Sequence, residues 1–484
     1  MLRPKPLTGS NNSLFANWVM KNPFLAVTDT GTRFISRQGR LFFVFFLLLS
    51  ISISPVHAQE DPQVASMTLD ECIDYALVHQ PYINQSLIGI SIAKTTNAIN
   101  LAGWLPQVSA SANAIHYFQL PTSLIADSSG VRGAPIPTHT GVTNTVIPEL
   151  SATETLFNPQ LLYAAKAANL YVKEARQVTD SAKIFTVATV CKSFYNLLLT
   201  LAQINVLKED TARLDRNVLD THNQFIGGIV DETDYDEAVI TLNTSKAQLK
   251  QQIENIAPQY AILKQAMGYP PKKQFNVVVD TAQMMQDIAF DTTQEMEFDH
   301  RIEYQQLQTA KKLQHELTGY YGLSFLPTVS AFYNYFYEYE SNTSSGLFST
   351  AYPYSYIGLS VNIPLFTGFS RIENIHKARL QERLLDWSQV SLKAQIYTEY
   401  TTALANYKSN LYSLQLLEDN EKRARNVYRI VSLQYKQGIV AYLNMIVAES
   451  NLISAEVGYT NALYQLLSSK IDLEKAMGDI PYNH

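Results

Sequence analysis

The chain has 484 residues, with 37 Lys and Arg against 43 Asp and Glu, for a net charge of −6. That length suits two or three ordinary domains or one large elongated one. The acidic balance excludes a general nucleic-acid binder, which needs a basic face to neutralise phosphates. Cys72 and Cys191 lie far apart in helical patterns and read as two buried free thiols rather than a disulfide.

Residues 1–58 read as an N-terminal extension and signal peptide. The apolar run from Leu41 to Ile53 is about 13 residues, too short to cross a bilayer core of about 30 Å as a helix. Arg33, Arg37 and Arg40 precede it and Val56-His57-Ala58 follows. That order marks a secretory signal cleaved after Ala58. Gln59 then leads the mature chain, so no lipid-accepting cysteine stands there. Removing six bases and one acid makes the mature charge −11. Residues 1–32 are long for a signal leader and receive no function.

The first repeat is expected over 59–270. A helix opens at Thr68-Leu69-Asp70-Glu71, a polar cap with acids in the first turn, and runs to about Trp104. A strand pair follows at 107–118 and 147–157, then a long helix at 158–226 and a return helix at 231–267. Residues 271–298 form a connector. The second repeat, 299–481, has a helix from about Asp299 to Phe325 and strands at 328–339 and 355–366. Its long helix spans 368–436 and its return helix 441–477.

The two halves share landmarks in the same order. Gly228-Ile229-Val230 returns as Gly438-Ile439-Val440, and Ala266-Met267-Gly268 as Ala476-Met477-Gly478, both at an offset of 210. Leu156-Phe157-Asn158 matches Leu365-Phe366-Thr367 at 209, and Trp104-Leu105-Pro106 matches Phe325-Leu326-Pro327 at 221. Such a period is far beyond solenoid repeats, so one large domain has been duplicated.

Within the long helix, Ile204, Leu207, Thr211, Leu214, Val218, Thr221 and Phe225 recur at steps of three and four. Their partners 210 residues on include Leu414, Leu417, Glu421, Tyr428 and Tyr435. The return helices continue the rhythm through Leu242, Lys246 and Ile253, and through Met445, Glu449, Leu452 and Glu456. This spacing indicates side-by-side packing of coiled-coil type. At 1.5 Å per residue, a helix of about 68 residues is roughly 100 Å long. The repeats therefore build a rod of helices.

In the strand segments Ile357, Leu359, Val361, Ile363 and Leu365 alternate with Gly358, Ser360, Asn362 and Pro364. About ten residues is the span of a tilted transmembrane strand, and aromatic ends suit interfacial girdles. A soluble antiparallel sheet shows the same alternation. The Ser-, Thr-, Gly- and Pro-rich loops at 121–145 and 340–353 suit an exposed outer face. Glu154 falls in line with Leu150, Ala152 and Leu156, which places it near a membrane edge. Four strands cannot close a barrel, so membrane strands would require several chains to share one.

Over about 68–481 the chain resembles the TolC-like outer-membrane efflux proteins. The residues that carry this are Met67 to Ile73 opening the first helix, Gly103-Trp104-Leu105-Pro106 and Ile363-Pro364-Leu365-Phe366-Thr367-Gly368. The Gly228 and Gly438 turns complete the set. The resemblance implies a mainly helical fold with a membrane β-barrel part. It implies a homotrimer in the cell outer membrane, its barrel of twelve strands continuing into a periplasmic tunnel of coiled helical hairpins. It also implies docking to a periplasmic adaptor and an inner-membrane pump, as the exit duct of tripartite efflux or type I secretion.

In that family the two turns touch the adaptor and close the tunnel. Here the tips hold Gly228, Asp231, Glu232, Asp234, Asp236 and Glu237, and Tyr435, Gly438, Asn444 and Val447. Some relatives carry an aspartate ring where Asn444 and Val447 stand. The five acids of the first turn would form a cation-favouring ring on threefold repetition. They also suit a solvated helix start, and the two readings are compatible.

No GxSxG, phosphate loop or HExxH occurs, and the nine histidines form no ligand-spaced cluster. His222 reads as a polar surface residue. No enzyme, cofactor or metal site is expected. The alternatives to an exit duct are a lumenless structural or adhesive rod and a periplasmic enzyme or binding protein.

Overall fold

The structure, a computed structural model, describes residues 65–125, 135–278 and 288–482, apart from 289 and 292. The expected signal peptide with Ala58, and the connector residues 279–287, 289 and 292, lie outside the described residues. The described residues belong to one compact unit.

The unit begins with β1 (Ala65–Met67) and α1 (Leu69–His79). Thr68 and Glu71 form a capping box: the Glu71 amide donates to Thr68 Oγ1 at 3.3 Å and the Thr68 amide to Glu71 at 2.8 Å. The helix expected to reach Trp104 in one piece stops at His79. Pro81 forces the residue before it out of helical geometry, and Gln80 is extended with ψ 121°. A new helix, α2 (Pro81–Leu101), starts on that proline.

Next come β2 (Gln107–His116), a short surface hairpin of β3 (Thr122–Ile125) and β4 (Ile136–His139), and β5 (Asn144–Phe157). Asn158 caps α3 (Pro159–Ile226), accepting from the Gln160 amide at 2.8 Å. The return helix α4 (Glu232–Met267) leads to β6 (Phe275–Val277), which pairs in parallel with β1. The second repeat supplies α5 (Ile302–Leu323), β7 (Thr328–Ser341), β8 (Ala351–Asn362), α6 (Ser370–Lys436) and α7 (Tyr442–Met477). Helix α5 starts later than expected because Arg301, like Gln80, is extended.

The Ala-Met-Gly repeats have a packing reason. Gly268 (φ +68°) and Gly478 (φ +85°) end the return helices in left-handed geometry, where a side chain is strained. Each also abuts the backbone of an extended break. A Cβ on Gly268 would lie 2.8 Å from His79 O and 2.9 Å from Gln80 Cα, and one on Gly478 2.8 Å from the His300 carbonyl. The two breaks are thus equivalent, at the same offset of 221 as the Trp104 and Phe325 landmarks.

Helix α3 pairs with α4 and α6 with α7, while α7, α2 and α5 also pack on α3. The main core gathers Cys72 of α1, Val190 and Leu197 of α3, Leu263 and Met267 of α4, and Leu466 and Leu473 of α7. Both cysteines are buried and free there. Burial pushes each thiol up to about 12. One stretch of α3 is apolar enough to cross a membrane, but 61% of it is buried against protein.

The expected seam holds along α7, where Met445, Glu449, Leu452, Glu456, Leu466, Leu473 and Met477 are buried. Along α4 it fails at Lys246 and Ile253, which are exposed. Within the chain α4 packs chiefly on α3 and touches α7 only slightly.

Four strands form one antiparallel sheet in the order β2-β5-β7-β8. Strand β8 lies four residues earlier than the expected 355–366. Asn362 pairs with Thr328, the first residue of β7, so Ile363–Phe366 have no partner strand, and Pro364 has no amide to offer one. The register sorts the sheet into two faces. Val108, Ala110 and Ala112 share one face with Leu150, Ala152, Ala331, Tyr333, Ile357 and Leu359. The other carries Ser109, Ser151, Asn334 and Tyr356 in one row, and Ser330 with Ser360. On the apolar face Ile357 is 80% exposed and Leu359 69%. Glu154 pairs opposite Ala331 on that face, three residues before the strand's end.

Candidate functional site

Helix α3 has the sheet at its start and a tight turn at its end; α6 repeats the arrangement. Both turns are Schellman motifs, closed by left-handed Gly228 (φ +70°) and Gly438 (φ +71°). The Gly228 amide donates to Phe225 O and the Ile229 amide to Gln224 O, both at 2.9 Å. Gly438 and Ile439 repeat the two bonds on Tyr435 O and Gln434 O, again at 2.9 Å. A Cβ on either glycine would meet nothing within 4 Å.

The side chains of the turns differ. In the first, Asp231, Glu232, Asp236 and Glu237 are exposed and Asp234 is half-buried. Asp231 occupies the N-cap of α4 without a side-chain capping bond. The second is built into a small core of Tyr435, Tyr442 and Met445 with Ala238 of α4. Tyr435 is 6% exposed and its hydroxyl donates to Gln224 Oε1 of α3 at 2.7 Å, tying the two hairpins together. Asn444 and Val447 are exposed on α7. The fold thus brings Tyr435 against the first hairpin and leaves the five acids, Asn444 and Val447 outside that contact. His222 is half-buried rather than on the surface; its ring lies 5.0 Å from Tyr235 and its Nδ1 has no partner.

Further from the tips lies a cluster of charged side chains that the sequence reading does not assemble. Asp210, Arg213 and Asn217 of α3 meet Glu449 and Glu456 of α7, Ser245 of α4 and Arg425 of α6. Asp210 is fully buried, Glu449 is 2% exposed and Glu456 5%. Ser245 Oγ donates to Asp210 at 2.8 Å, and Arg213 Nη2 lies 3.3 Å from Asp210 and from Glu456. Burial pushes the carboxyls of Asp210 and Glu456 up, against the pull of Arg213. Glu449 and Glu456 stood in the expected apolar seam, and acids there were the available clue. Asp210 and Arg213 fall between seam positions and carried none.

Long paired helical hairpins rising from a two-faced strand quartet define the fold of the outer-membrane efflux channels. Residues 322–479, from the end of α5 through α7, match the sequence model of the outer membrane efflux protein family, so the resemblance read from the sequence holds. The fold is similar to that of the outer membrane protein VceC from Vibrio cholerae, at 16% identity and TM-score 0.66 over 85% of this chain and 96% of that one. It is similar to the Campylobacter jejuni CmeC outer membrane channel at 18% identity and TM-score 0.67, over 86% and 87%. The open state of the Neisseria gonorrhoeae MtrE outer membrane channel matches at 18% and 0.64, over 85% and 88%. No curated protein matches the sequence. The matching family model describes outer membrane efflux proteins, and the CmeC and MtrE structures are of outer membrane channels.

Proposed function

We propose that this chain is one of three subunits of an outer-membrane exit duct serving a tripartite efflux or type I secretion system. The observation that carries the reading is the sheet: four strands, one face apolar and exposed, and both outer strands, β2 and β8, unpaired along one edge. In lipid, open edges leave backbone amides and carbonyls without partners, so β2 of one copy is expected to pair with β8 of the next. Three copies give twelve strands, with lipid outside and a polar lumen inside. The long helices carry that lumen into the periplasm, where the turns meet an adaptor and, through it, an inner-membrane pump.

Reconstitution in planar bilayers tests the duct. The expected result is steady conductance, with copies cross-linked through β2 and β8 giving a ladder that ends at three. No conductance, or a ladder ending elsewhere, refutes the reading. The acids from Asp231 to Glu237 supply about fifteen carboxylates to a threefold tip, a potential that favours cations. Neutralising Asp234 and Glu237 together should lower cation selectivity; unchanged selectivity removes the ring from the pathway.

A further inference from the structure

The buried cluster between the hairpins has more negative charge than positive. Four carboxylates, Asp210, Glu421, Glu449 and Glu456, share the guanidinium groups of Arg213 and Arg425. Arg425 bonds Glu421 at 2.6 Å and Glu456 at 2.7 Å, and Arg213 is divided between Asp210 and Glu456. Glu449 has no hydrogen bond to either guanidinium. Its Oε2 accepts from Asn217 at 2.8 Å, while its Oε1 faces Arg213 Nε at 4.0 Å. Both of those facing atoms are buried without a hydrogen bond. A neutral and an ionised Glu449 therefore ask different things of Arg213.

The groups around Glu449 come from every helix of the seam. Helix α3 brings Asp210, Arg213 and Asn217, and α4 brings the Ser245 hydroxyl. Helix α6 brings Tyr428, whose ring lies 5.8 Å from the Arg213 guanidinium, and Arg425 beyond Glu456. Helix α7 itself brings Tyr442 and Glu456. Among the described residues Arg213 is the one cation close to Glu449, and it already serves two other acids.

We propose that Glu449 is a proton-operated lock between the two helical hairpins. Neutral, it rests in the dry seam and leaves Arg213 on Asp210 and Glu456, holding α7 against α3. On losing its proton to solvent it adds an unbalanced charge to the seam and draws Arg213 away from those acids. Burial, and then Asp210, raise its carboxyl from 4.5 to about 7, against the opposing pull of Arg213 and Asn217. The packed seam therefore keeps a proton that the separated carboxyl has already released. Its stability falls as pH rises from about 4.5 to about 7 and is level above that.

The lock is a property of the seam; that its release widens a duct rests on the channel reading. Hydrogen exchange on the full chain in detergent tests the lock by itself. Residues 442–456, corrected for intrinsic rates and referenced to the α7 core at 463–473, should lose about tenfold protection between pH 6 and pH 8. Glu449→Gln should abolish that difference and Glu449→Asp should retain one. Equal protection at both pH values in the unmodified chain overturns the proposal, even where Glu449→Gln does not assemble. The same loss in Glu449→Gln overturns it too. In bilayers the open probability should rise through pH 7 and cease to do so in Glu449→Gln. Absence of conductance at every pH defeats the duct, while the exchange result still judges the lock.

Discussion

Four glycines close the four hairpin ends in the same left-handed geometry, and replacing each with alanine separates strain from contact. Gly228 and Gly438 have open space where a Cβ would go. Gly268 and Gly478 would place that Cβ 2.8 Å from backbone atoms of His79 and His300. An alanine in this conformation costs about 1–2 kcal/mol at any of the four sites. Overpacking adds about 1–3 kcal/mol at the second pair, because backbone cannot rotate away as a side chain can. Gly228→Ala and Gly438→Ala should therefore cost about 1–2 kcal/mol, and Gly268→Ala and Gly478→Ala about 2–5 kcal/mol. Urea denaturation in detergent, compared at constant m-value, reads the difference as a larger shift in midpoint for the second pair. Equal shifts at all four positions would refute the reasoning, since the backbone contacts would then contribute nothing.

Arg213→Met leaves Asp210 buried without its cation and Glu456 with Arg425 alone, and should cost about 3–5 kcal/mol in the same assay. Cys72 and Cys191, with thiols pushed up to about 12, should resist alkylation at pH 8 until the chain is denatured. Labelling of the folded protein would show that the core opens there. Ile357→Lys, on the exposed apolar face, should cost about 2–4 kcal/mol of stability in lipid vesicles, while Ser360→Lys on the polar face is tolerated. Similar losses for both would mean that the register does not sort lipid from lumen.

The duplication, the helix lengths and the left-handed turns were legible because each rests on local chemistry: periodic burial, caps and glycines. The break at Pro81 was also local, and the rule for a residue before proline would have placed it. The end of β8 was not, because a strand ends where its partner does, and the alternation in Ile363 and Leu365 continues past the last pairing with Thr328. The charged seam was hidden for another reason. Arg213 and Glu456 are 243 residues apart, and no spacing rule joins an acid on one hairpin to a guanidinium on the other.

Internal symmetry adds an argument about assembly. At the offset of 210, Asp210 and Arg213 become Asn420 and Arg423, while Glu449 and Glu456 become Val239 and Lys246. The pseudo-equivalent of the α3–α7 seam is therefore one between α6 and α4. Within the chain α3 does pack against α7, but α6 makes no comparable contact with α4. The faces concerned are left open: Leu416, Val427 and Leu433 of α6 are exposed, as are Ile240 and Ile253 of α4. On the trimeric reading Ile253, exposed where a buried seam was expected, would meet another copy, while Lys246 pairs with Asp215 of its own chain at 3.5 Å. On the trimeric reading each chain keeps the acid-rich seam inside itself and forms the apolar one, without those acids, with its neighbour. Glu449 would lie between the hairpins of one subunit, so its proton would loosen each subunit separately and leave the contacts between subunits standing.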